Sequence, residues 1–164
     1  MTPLLRTVHR DIVPRPIDKS MVRSRWIYKV NKVVDGSVEK YKARFLAQGF
    51  SQIKGIEYDE NFAPIVRYSS IRSILSLSGK MGWHIHQMDM KTMFLNGIIE
   101  EEVYIEEPEG FEIFSSDLHV CRIKRALYGL KQAPCAWYTR IDNYFTRLDF
   151  TKSEADANLY QIVV

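Results

Sequence analysis

The dipeptide Asp35-Gly36 lies between two runs of alternating residues and constrains the chain on both sides of it. Asp and Gly tolerate the positive φ angles of a two-residue type I′ turn, so the sequence predicts a β-hairpin. Folding the chain about this turn also predicts which residues face each other. The predicted pairs that carry aromatic or apolar side chains are Trp26–Phe45, Tyr28–Ala43 and Val30–Tyr41, and the register continues to Lys32–Glu39 and Val34–Ser37.

The opposite face of the predicted hairpin is basic. Its pairs are Asn31–Lys40, Ile27–Arg44 and Lys29–Lys42. Like charges placed directly opposite each other destabilise a strand pair by up to ~1 kcal/mol unless an anion lies over them. A Lys-rich edge that resists aggregation would use the same residues. A surface that faces phosphate explains the same-sign pair better, and we prefer that interpretation.

The net charge of +3 conceals a division within the chain. Residues 100–109 hold six of the 20 acidic residues and no basic residue. The other 154 residues therefore carry 23 Lys and Arg against 14 acidic residues. This surplus favours a polyanionic partner such as nucleic acid, although a solvated surface of mixed charge would have the same composition.

Composition excludes several classes of protein. A chain of 164 residues that is 46% hydrophobic can form one domain with a core. Cys121 and Cys135 form no disulfide framework, so we expect an intracellular setting, cytoplasmic or nuclear, rather than secretion. The pairs His84-x-His86 and His119-x-Cys121 lack the spacing of a structural zinc site. No apolar run approaches the ~20 residues of a membrane span, and we expect no membrane partner.

Helical and strand patterns organise the second half of the chain. Ser69 or Ser70 is expected to cap a helix that ends at Gly82 and buries a stripe of Ile71, Ile74, Leu75 and Met81. A second helix should begin at Ala133 or Pro134 and bury Trp137, Ile141, Tyr144, Phe145 and Leu148. Short strands are expected over Val103–Ile105, closed by Pro108 and Gly110, over residues 120–127, and from Asn158.

The stretch from Ile85 to Gly97 carries the main candidate for catalysis. Residues 85–90 alternate as a short strand would, and Asp89 lies near the end of that strand. A turn-prone segment follows and closes at Asn96-Gly97. A carboxylate at the end of a strand is a common metal ligand, although by itself such a residue more often caps a turn.

Four strings of residues occur in one order along the chain. They are Tyr41-Lys-Ala-Arg-Phe-Leu-Ala-Gln-Gly-Phe50, Asp59-Glu-Asn-Phe-Ala-Pro-Ile-Val66, His86-Gln-Met-Asp-Met-Lys-Thr-Met-Phe-Leu-Asn-Gly97 and Ala126-Leu-Tyr-Gly-Leu-Lys-Gln-Ala-Pro-Cys-Ala-Trp-Tyr138. In this order they resemble the reverse transcriptase domain of copia-type LTR retrotransposons, over about residues 11–160.

The resemblance implies an α+β fold that is part of a right-hand polymerase. It would have a fingers hairpin and an incomplete palm, in which helices pack on an antiparallel sheet. The implied divisions are an extended lead-in at 1–24, a fingers-like hairpin with its connecting loop at 25–66, and a partial palm at 67–164. Met1 need not be a natural start, because the family continues upstream.

In that family, nucleotidyl transfer uses two divalent ions. These are Mg²⁺ ions, which are held by oxygen ligands. The resemblance implies that Asp89 is catalytic and binds Mg²⁺ together with the backbone carbonyl of Met90. It implies a nucleotide-binding set of Lys42, Arg44, Phe94, Tyr128, Gly129, Lys131 and Gln132, in which Phe94 rejects a 2′-hydroxyl. The implied partners are an RNA or DNA template-primer, a deoxynucleoside triphosphate and the remainder of a Pol polyprotein.

The family's other two metal carboxylates lie in a Tyr-x-Asp-Asp string, which this sequence does not contain. Asp156 is no substitute, because it matches a loop before that string. One Asp cannot hold two ions, so we expect a fragment that is inactive by itself. A palm without its central hairpin would leave an open strand edge, so we also expect marginal stability. The alternatives are a residual nucleic-acid or nucleotide-binding module that uses Lys29, Lys40, Lys42 and Arg44, or a non-functional relic. Asp149 replaces a usual Gly, so the second helix should end less cleanly.

Overall fold

Antiparallel sheets and two α-helices make up the computed structural model, which describes residues 10–106 and 118–162. The strands are β1 (Arg10–Pro14), β2 (Ser24–Lys32), β3 (Val38–Ala47), β4 (Ile98–Ile105), β5 (His119–Arg125), β6 (Thr151–Lys152) and β7 (Tyr160–Gln161). The helices are α1 (Tyr68–Met81) and α2 (Ala133–Arg147), with short 3-10 turns at Gly49–Ser51 and Met93–Asn96. The mixed helical and antiparallel architecture agrees with the predicted α+β class.

The hairpin of β2 and β3 confirms most of the predicted register. From Asn31–Lys40 to Trp26–Phe45 every predicted pair is present, including Lys29 opposite Lys42. Trp26 and Phe45 pack with ring centroids 5.2 Å apart. The base of the hairpin is therefore held by the expected aromatic pair.

The tip of the hairpin differs from the two-residue turn that we predicted. Gly36 has a φ of +87°, whereas Asp35 does not take a positive φ. The amide of Gly36 donates to Val33 O and that of Val33 donates to Ser37 O, both at 2.9 Å. The reason is local, because the Asp35 carboxylate accepts the Ser37 amide at 2.8 Å and holds a longer turn.

The longer turn also changes the predicted pairs nearest to it. Lys32 pairs with Val38 rather than Glu39, and Val34 lies in the turn instead of facing Ser37. The register shifts between Asn31 and Lys32, so Glu39 becomes the extra residue of a β-bulge. This bulge restores the predicted register for the rest of the hairpin.

The core lies against a three-stranded antiparallel sheet in the order β1-β5-β4. Strands over Val103–Ile105 and near residues 120–127 are confirmed, although β5 ends at Arg125. The most deeply buried large side chains are Val22, Val103, Ile105, Val120 and Leu127. Pro108 and Gly110, which we expected to close β4, lie outside the described residues. The extended N-terminal part contributes β1 to this sheet.

The predicted burial of α1 is wrong. Ile71, Ile74, Leu75 and Met81 are 38–57% exposed, and Ser78 is the buried residue of this helix. An amphipathic stripe predicts that one face avoids water, but no described element packs on it closely enough to bury it. The helix does end at Gly82, whose φ is +68° as a left-handed cap requires.

The predicted cap of α1 is also wrong, because a residue distant in sequence caps this helix. Neither Ser69 nor Ser70 is the N-cap, a position held by Arg67 without a side-chain cap. Instead Asp156 Oδ2 accepts the Arg67 amide at 3.0 Å and the Ser70 hydroxyl at 2.6 Å. These hydrogen bonds from Ser70, Asn158 and Arg67 hold the pKa of Asp156 below its usual value.

The predicted strand over residues 85–90 is wrong. Residues 83–90 form neither helix nor strand, and their side chains are exposed. A segment of alternating residues forms a β-ladder only when a neighbouring strand pairs with it. No described strand pairs with this segment. The carboxylate of Asp89 therefore lies on an irregular, solvent-facing segment.

Helix α2 begins at Ala133, as predicted, with Pro134 in its first turn. Trp137, Ile141 and Phe145 of its predicted stripe are half-buried, but Tyr144 and Leu148 are exposed. Asp149 ends the helix with a left-handed φ of +63°, the conformation that glycine adopts most easily. Neither helix of the described residues is long and apolar enough to cross a membrane.

A clamp holds the hairpin of β6 and β7 on α2. Asp142 Oδ1 accepts the Tyr160 hydroxyl at 2.6 Å and the Lys152 ammonium at 2.7 Å. Burial raises the pKa of Asp142, but the hydrogen bonds from Lys152 and Tyr160 outweigh it and keep this pKa below its usual value. The Phe145 and Tyr160 rings pack 4.8 Å apart beneath this clamp.

Candidate functional site

A cavity of about 320 Å³ lies where the hairpin meets the segment before α2. Its lining consists of Trp26, residues 40–45 of β3, Thr92, Leu95, Leu127 and Tyr128. The cavity thus brings together three of the residues proposed from the sequence, namely Lys42, Arg44 and Tyr128. Residues of β3 that include Lys42 and Arg44 and the buried residues Leu95 and Leu127 line the same space.

Sequence reasoning did not identify several residues that line this cavity. Trp26 was predicted only as a packing residue of the hairpin. Thr92 and Leu95 belong to the motif from His86 to Gly97, which could have identified them as candidate site residues. Thr92 has a φ of +53°, which is uncommon for a β-branched residue and marks a constrained backbone beside the cavity.

A close approach of two backbones fixes the hairpin above Tyr128. The Ala47 amide donates to Tyr128 O at 2.8 Å, and Leu46 forms a parallel bridge with Tyr128. Gly129 has a φ of +94°, and a Cβ built there would come closer than 3.0 Å to the Ala47 carbonyl oxygen. Gly49 approaches the Gly129 carbonyl in the same way. Gly129 therefore has a packing role in addition to any contact with a nucleotide.

Phe94 does not line the cavity, but it contacts Tyr128, which does. Its ring meets that of Tyr128 edge-on, with centroids 5.1 Å apart. The 3-10 turn at Met93–Asn96 carries Phe94 towards the core, and Gly97 lets this turn approach Ala136 of α2. The structure thus joins Phe94 to the cavity through Tyr128.

Gln132 and Lys131 lie at the start of α2 and are tied to the loop that follows the hairpin. Gln132 is buried, where it accepts from Gln52 Nε2 at 3.1 Å and donates to Glu57 O at 3.0 Å. The Lys131 amide donates to Gln52 Oε1 at 2.9 Å. The side-chain amide of Gln132 therefore forms hydrogen bonds that join the start of α2 to this loop. Gln132 and Lys131 both lie outside the cavity lining.

Asp89 and Met90 do not line the cavity. The described residues contain no group of three or more His, Cys, Asp and Glu side chains that could hold a metal ion. Asp89 is exposed and belongs to the irregular segment at residues 83–90. A complete two-ion site is therefore not assembled from the described residues.

The acidic segment that begins at Glu100 in β4 is partly neutralised by neighbouring basic residues. Glu102 Oε1 contacts Arg122 at 3.1 Å, and its other oxygen lies 3.7 Å from Lys19. Glu106 contacts Arg15 at 3.3 Å. In contrast, among residues 10–106 and 118–162 no ion pair involves Lys29, Lys40, Lys42 or Arg44. The positive charge of the hairpin is therefore available to an anion.

The chain is similar to known proteins over most of its length. The model of the family described as reverse transcriptase (RNA-dependent DNA polymerase) matches residues 8–163. The Pol polyprotein of transposon TNT 1-94 from Nicotiana tabacum is 42% identical over 149 residues, which is 91% of this chain and 11% of that protein. The Pol polyprotein of transposon RE1 from Arabidopsis thaliana is 39% identical over 151 residues, or 92% of this chain and 10% of that protein.

A more distant relative extends the same pattern. The Gag-Pol polyprotein of transposon Ty1-BL from Saccharomyces cerevisiae is 32% identical over 130 residues, which is 79% of this chain and 7% of that protein. The chain spans about a tenth of the length of the two plant relatives. No solved structure matches this chain.

Proposed function

Because this chain belongs to the reverse transcriptase (RNA-dependent DNA polymerase) family, we propose that the cavity beneath its hairpin binds a deoxynucleoside triphosphate. The observation that carries this proposal is the convergence of Lys42, Arg44 and Tyr128 on one cavity. These residues come from two parts of the chain that contact each other only in the folded structure. In this assignment the chain supplies nucleotide-binding elements to a Pol polyprotein.

The chemistry of the lining suits the two ends of a nucleotide. Lys42 and Arg44 offer charged donors to phosphate oxygens, and the planar guanidinium of Arg44 can donate two parallel hydrogen bonds. Trp26 and Tyr41, which also line the cavity and are more exposed than Leu95 and Leu127, offer aromatic surface to a base or sugar. The Lys29–Lys42 pair, which carries like charges directly opposite each other, would be relieved by a bound phosphate.

Phe94 and Tyr128 are proposed to shape the sugar end of the site. Their edge-on contact gives a rigid aromatic wall, because each ring limits the rotation of the other. Such a wall can exclude a 2′-hydroxyl by its bulk. Gly129, Lys131 and Gln132 support it, since their backbone and amide contacts fix the segment that carries Tyr128.

We propose no catalytic step for the chain by itself. The family uses divalent metal ions, and Asp89 with the Met90 carbonyl would be the ligands that this chain contributes. Two ions require several carboxylates, and the described residues contain no group of three or more side chains that could hold a metal ion. Primer extension on a template-primer would then need further carboxylates from a longer Pol product.

The same assignment extends the architecture to part of a right-hand polymerase. Residues 25–66 would be the fingers portion, residues 67–164 part of the palm, and residues 1–24 a lead-in. The position of the cavity between the hairpin and the Tyr128 segment supports this division, because a nucleotide would then be held between the two portions.

A direct binding measurement tests the proposed site. Anisotropy of a labelled deoxynucleoside triphosphate, competed by unlabelled triphosphate or nucleoside, should show that the nucleoside binds at least ~10-fold more weakly, because charged hydrogen bonds contribute about 1.5–3 kcal/mol each. Lys42→Gln and Arg44→Gln should each weaken triphosphate binding by about the same factor. Lys32→Gln is the matched control, since Lys32 lies on the same hairpin outside the cavity. Equal effects of all three variants would overturn the assignment.

A second candidate function is binding of nucleic acid by the basic face of the hairpin, the face that carries Lys29, Lys40, Lys42 and Arg44. The confirmed register places Lys29, Lys42, Lys40 and Arg44 on one face, and among the described residues none of them is in an ion pair. Affinity for an oligonucleotide should then fall with salt, and Arg44→Ala should reduce the slope of log K against log salt by about one. Lys29→Gln separates the two functions, because Lys29 lies outside the cavity lining. An unchanged salt slope in both variants would remove this candidate.

A further inference from the structure

A second cleft, of about 770 Å³, lies beside α2 and shares no lining residue with the cavity beneath the hairpin. The loop after the hairpin and the start of β4 contribute four carboxylates, Asp59, Glu60, Glu100 and Glu101. Helix α2 contributes Arg140 and Arg147. We call these two sets the acidic wall and the basic wall of the cleft.

The charges of the two walls are not neutralised within the described part of the chain. Among residues 10–106 and 118–162, no ion pair involves Asp59, Glu60, Glu100, Glu101, Arg140 or Arg147. Three other carboxylates are paired. Asp11, Glu102 and Glu106 each contact a basic residue within 4.0 Å. The charges of the cleft are thus available to a binding partner.

An irregularity in β4 accompanies the β4 part of the acidic wall, Glu100 and Glu101. Ile98 pairs with Arg125 and Val103 pairs with Ile123, so the four residues between Ile98 and Val103 stand opposite Lys124 alone. Such a bulge turns side chains away from the regular ladder. Ile98 at its start and Tyr144 on α2 both line the cleft, and they are 62% and 57% exposed. The cleft therefore has apolar surface as well as charged walls.

We propose that this cleft is the interface through which two copies of the chain associate about a twofold axis. A twofold interface must be complementary to itself, because each residue that contacts a second residue is contacted by the same residue in return. A surface with an acidic wall and a basic wall meets this requirement, since rotation by 180° places the basic wall of each copy against the acidic wall of the other. Ile98 and Tyr144 then form an apolar centre inside a charged rim.

The same charges disfavour other occupants. A nucleic acid would be repelled by the four carboxylates, and a uniformly basic peptide would be repelled by Arg140 and Arg147. The exposed apolar face of α1 is not self-complementary, because that helix carries Arg72 and Lys80 and no acidic residue. A second copy of this chain matches both walls of the cleft.

Charge reversal of each wall provides the test. The basic-wall variant is Arg140→Glu/Arg147→Glu, and the acidic-wall variant is Glu60→Lys/Glu100→Lys/Glu101→Lys. In each variant like charges would meet in the dimer, so sedimentation velocity should show dimerisation weakened at least ~10-fold relative to the native chain. An equimolar mixture of the two variants restores opposite charges at both contacts. It should form a heterodimer with an affinity within about threefold of the native dimer.

Two basic residues of α1, Arg72 and Lys80, provide the control. Arg72→Glu/Lys80→Glu on α1 makes the same charge change outside the cleft and should leave dimerisation intact. Added salt should weaken the native dimer, whereas association through α1 would not weaken in this way. A native chain that stays monomeric up to its solubility limit overturns the proposal, as does a mixture that fails to associate. Arg147→Glu and Glu100→Lys, checked by circular dichroism, replace any multiple variant that does not fold.

Discussion

Replacing Gly129 with alanine tests how the hairpin is held above the cavity. Gly129 has a φ of +94°, and its Cα lies against the carbonyl of Ala47 on β3. An alanine Cβ would come closer than 3.0 Å to that oxygen, and the obstacle is backbone rather than a flexible side chain. The two backbones must therefore separate. This movement stretches the hydrogen bond from the Ala47 amide to Tyr128 O, which is 2.8 Å long.

Two terms set the size of the effect. The left-handed backbone costs a residue with a Cβ about 1–2 kcal/mol, and the weakened Ala47–Tyr128 hydrogen bond costs about 0.5–1.5 kcal/mol. We therefore expect Gly129→Ala to lower the free energy of unfolding by about 1.5–3.5 kcal/mol. Domains of this size have total stabilities of about 5–15 kcal/mol, so the loss is a large fraction.

Urea unfolding followed by circular dichroism measures this change. With a slope of about 2 kcal/mol per molar urea, the unfolding midpoint should fall by roughly 1–2 M. Gly79→Ala is the matched control, because Gly79 lies in α1 with nothing within 4 Å of a Cβ and no positive φ. That variant should gain about 0.5–1 kcal/mol from improved helix propensity.

The directions of the midpoint shifts of Gly129→Ala and Gly79→Ala test the close approach at Gly129. Opposite shifts of the midpoint support a required close approach at Gly129. Destabilisation of both variants by the same amount would refute it, and so would an unchanged midpoint for Gly129→Ala. Folded Gly129→Ala should also bind the triphosphate more weakly, because Tyr128 and β3 both line the cavity.

Three further changes test individual contacts. Asp149→Gly should raise the free energy of unfolding by about 1 kcal/mol in denaturant titrations, since it removes a left-handed aspartate. The pKa of Asp156 is lowered on folding, so its contribution is full above the unfolded pKa and is lost as pH falls through the folded value. Asp156→Asn should therefore be less stable at pH 7 and lose less stability on acidification, as acid denaturation profiles would show. Tyr160→Phe should cost about 1 kcal/mol and raise the pKa of Asp142 in a carboxyl NMR titration. An unchanged Asp142 pKa would contradict the clamp.

Much of the local structure could be predicted because it depends on residues close together in sequence. The register of the hairpin follows from one turn and from alternation along two strands. The C-terminal end of α1 follows from Gly82 and the start of α2 follows from Pro134, because the backbone preferences of these residues act at the residue itself. The two-residue turn predicted at Asp35 was wrong, because one hydrogen bond from the Ser37 amide to the Asp35 carboxylate holds a longer turn.

The site could be predicted only as separate residues. Motif strings identified Lys42, Arg44, Phe94 and Tyr128, but their grouping depends on the contact between Ala47 and Tyr128. Gly129 and Gln132 were named for nucleotide binding, yet the close approach and the buried amide network give them packing roles that no spacing reveals. Asp89 was placed on a strand that did not form, so its side chain lies away from the cavity.

The sequence by itself determined the family, the hairpin register and the positions of both helices, because these depend on motif order and on interactions within a few residues. Only the tertiary structure decided which faces are buried and which residues share a cavity. An amphipathic pattern states that a face favours an apolar contact, but burial requires a second surface at the right distance. The exposed stripe of α1, and the capping of that helix by Asp156 from the far end of the chain, both follow from that requirement.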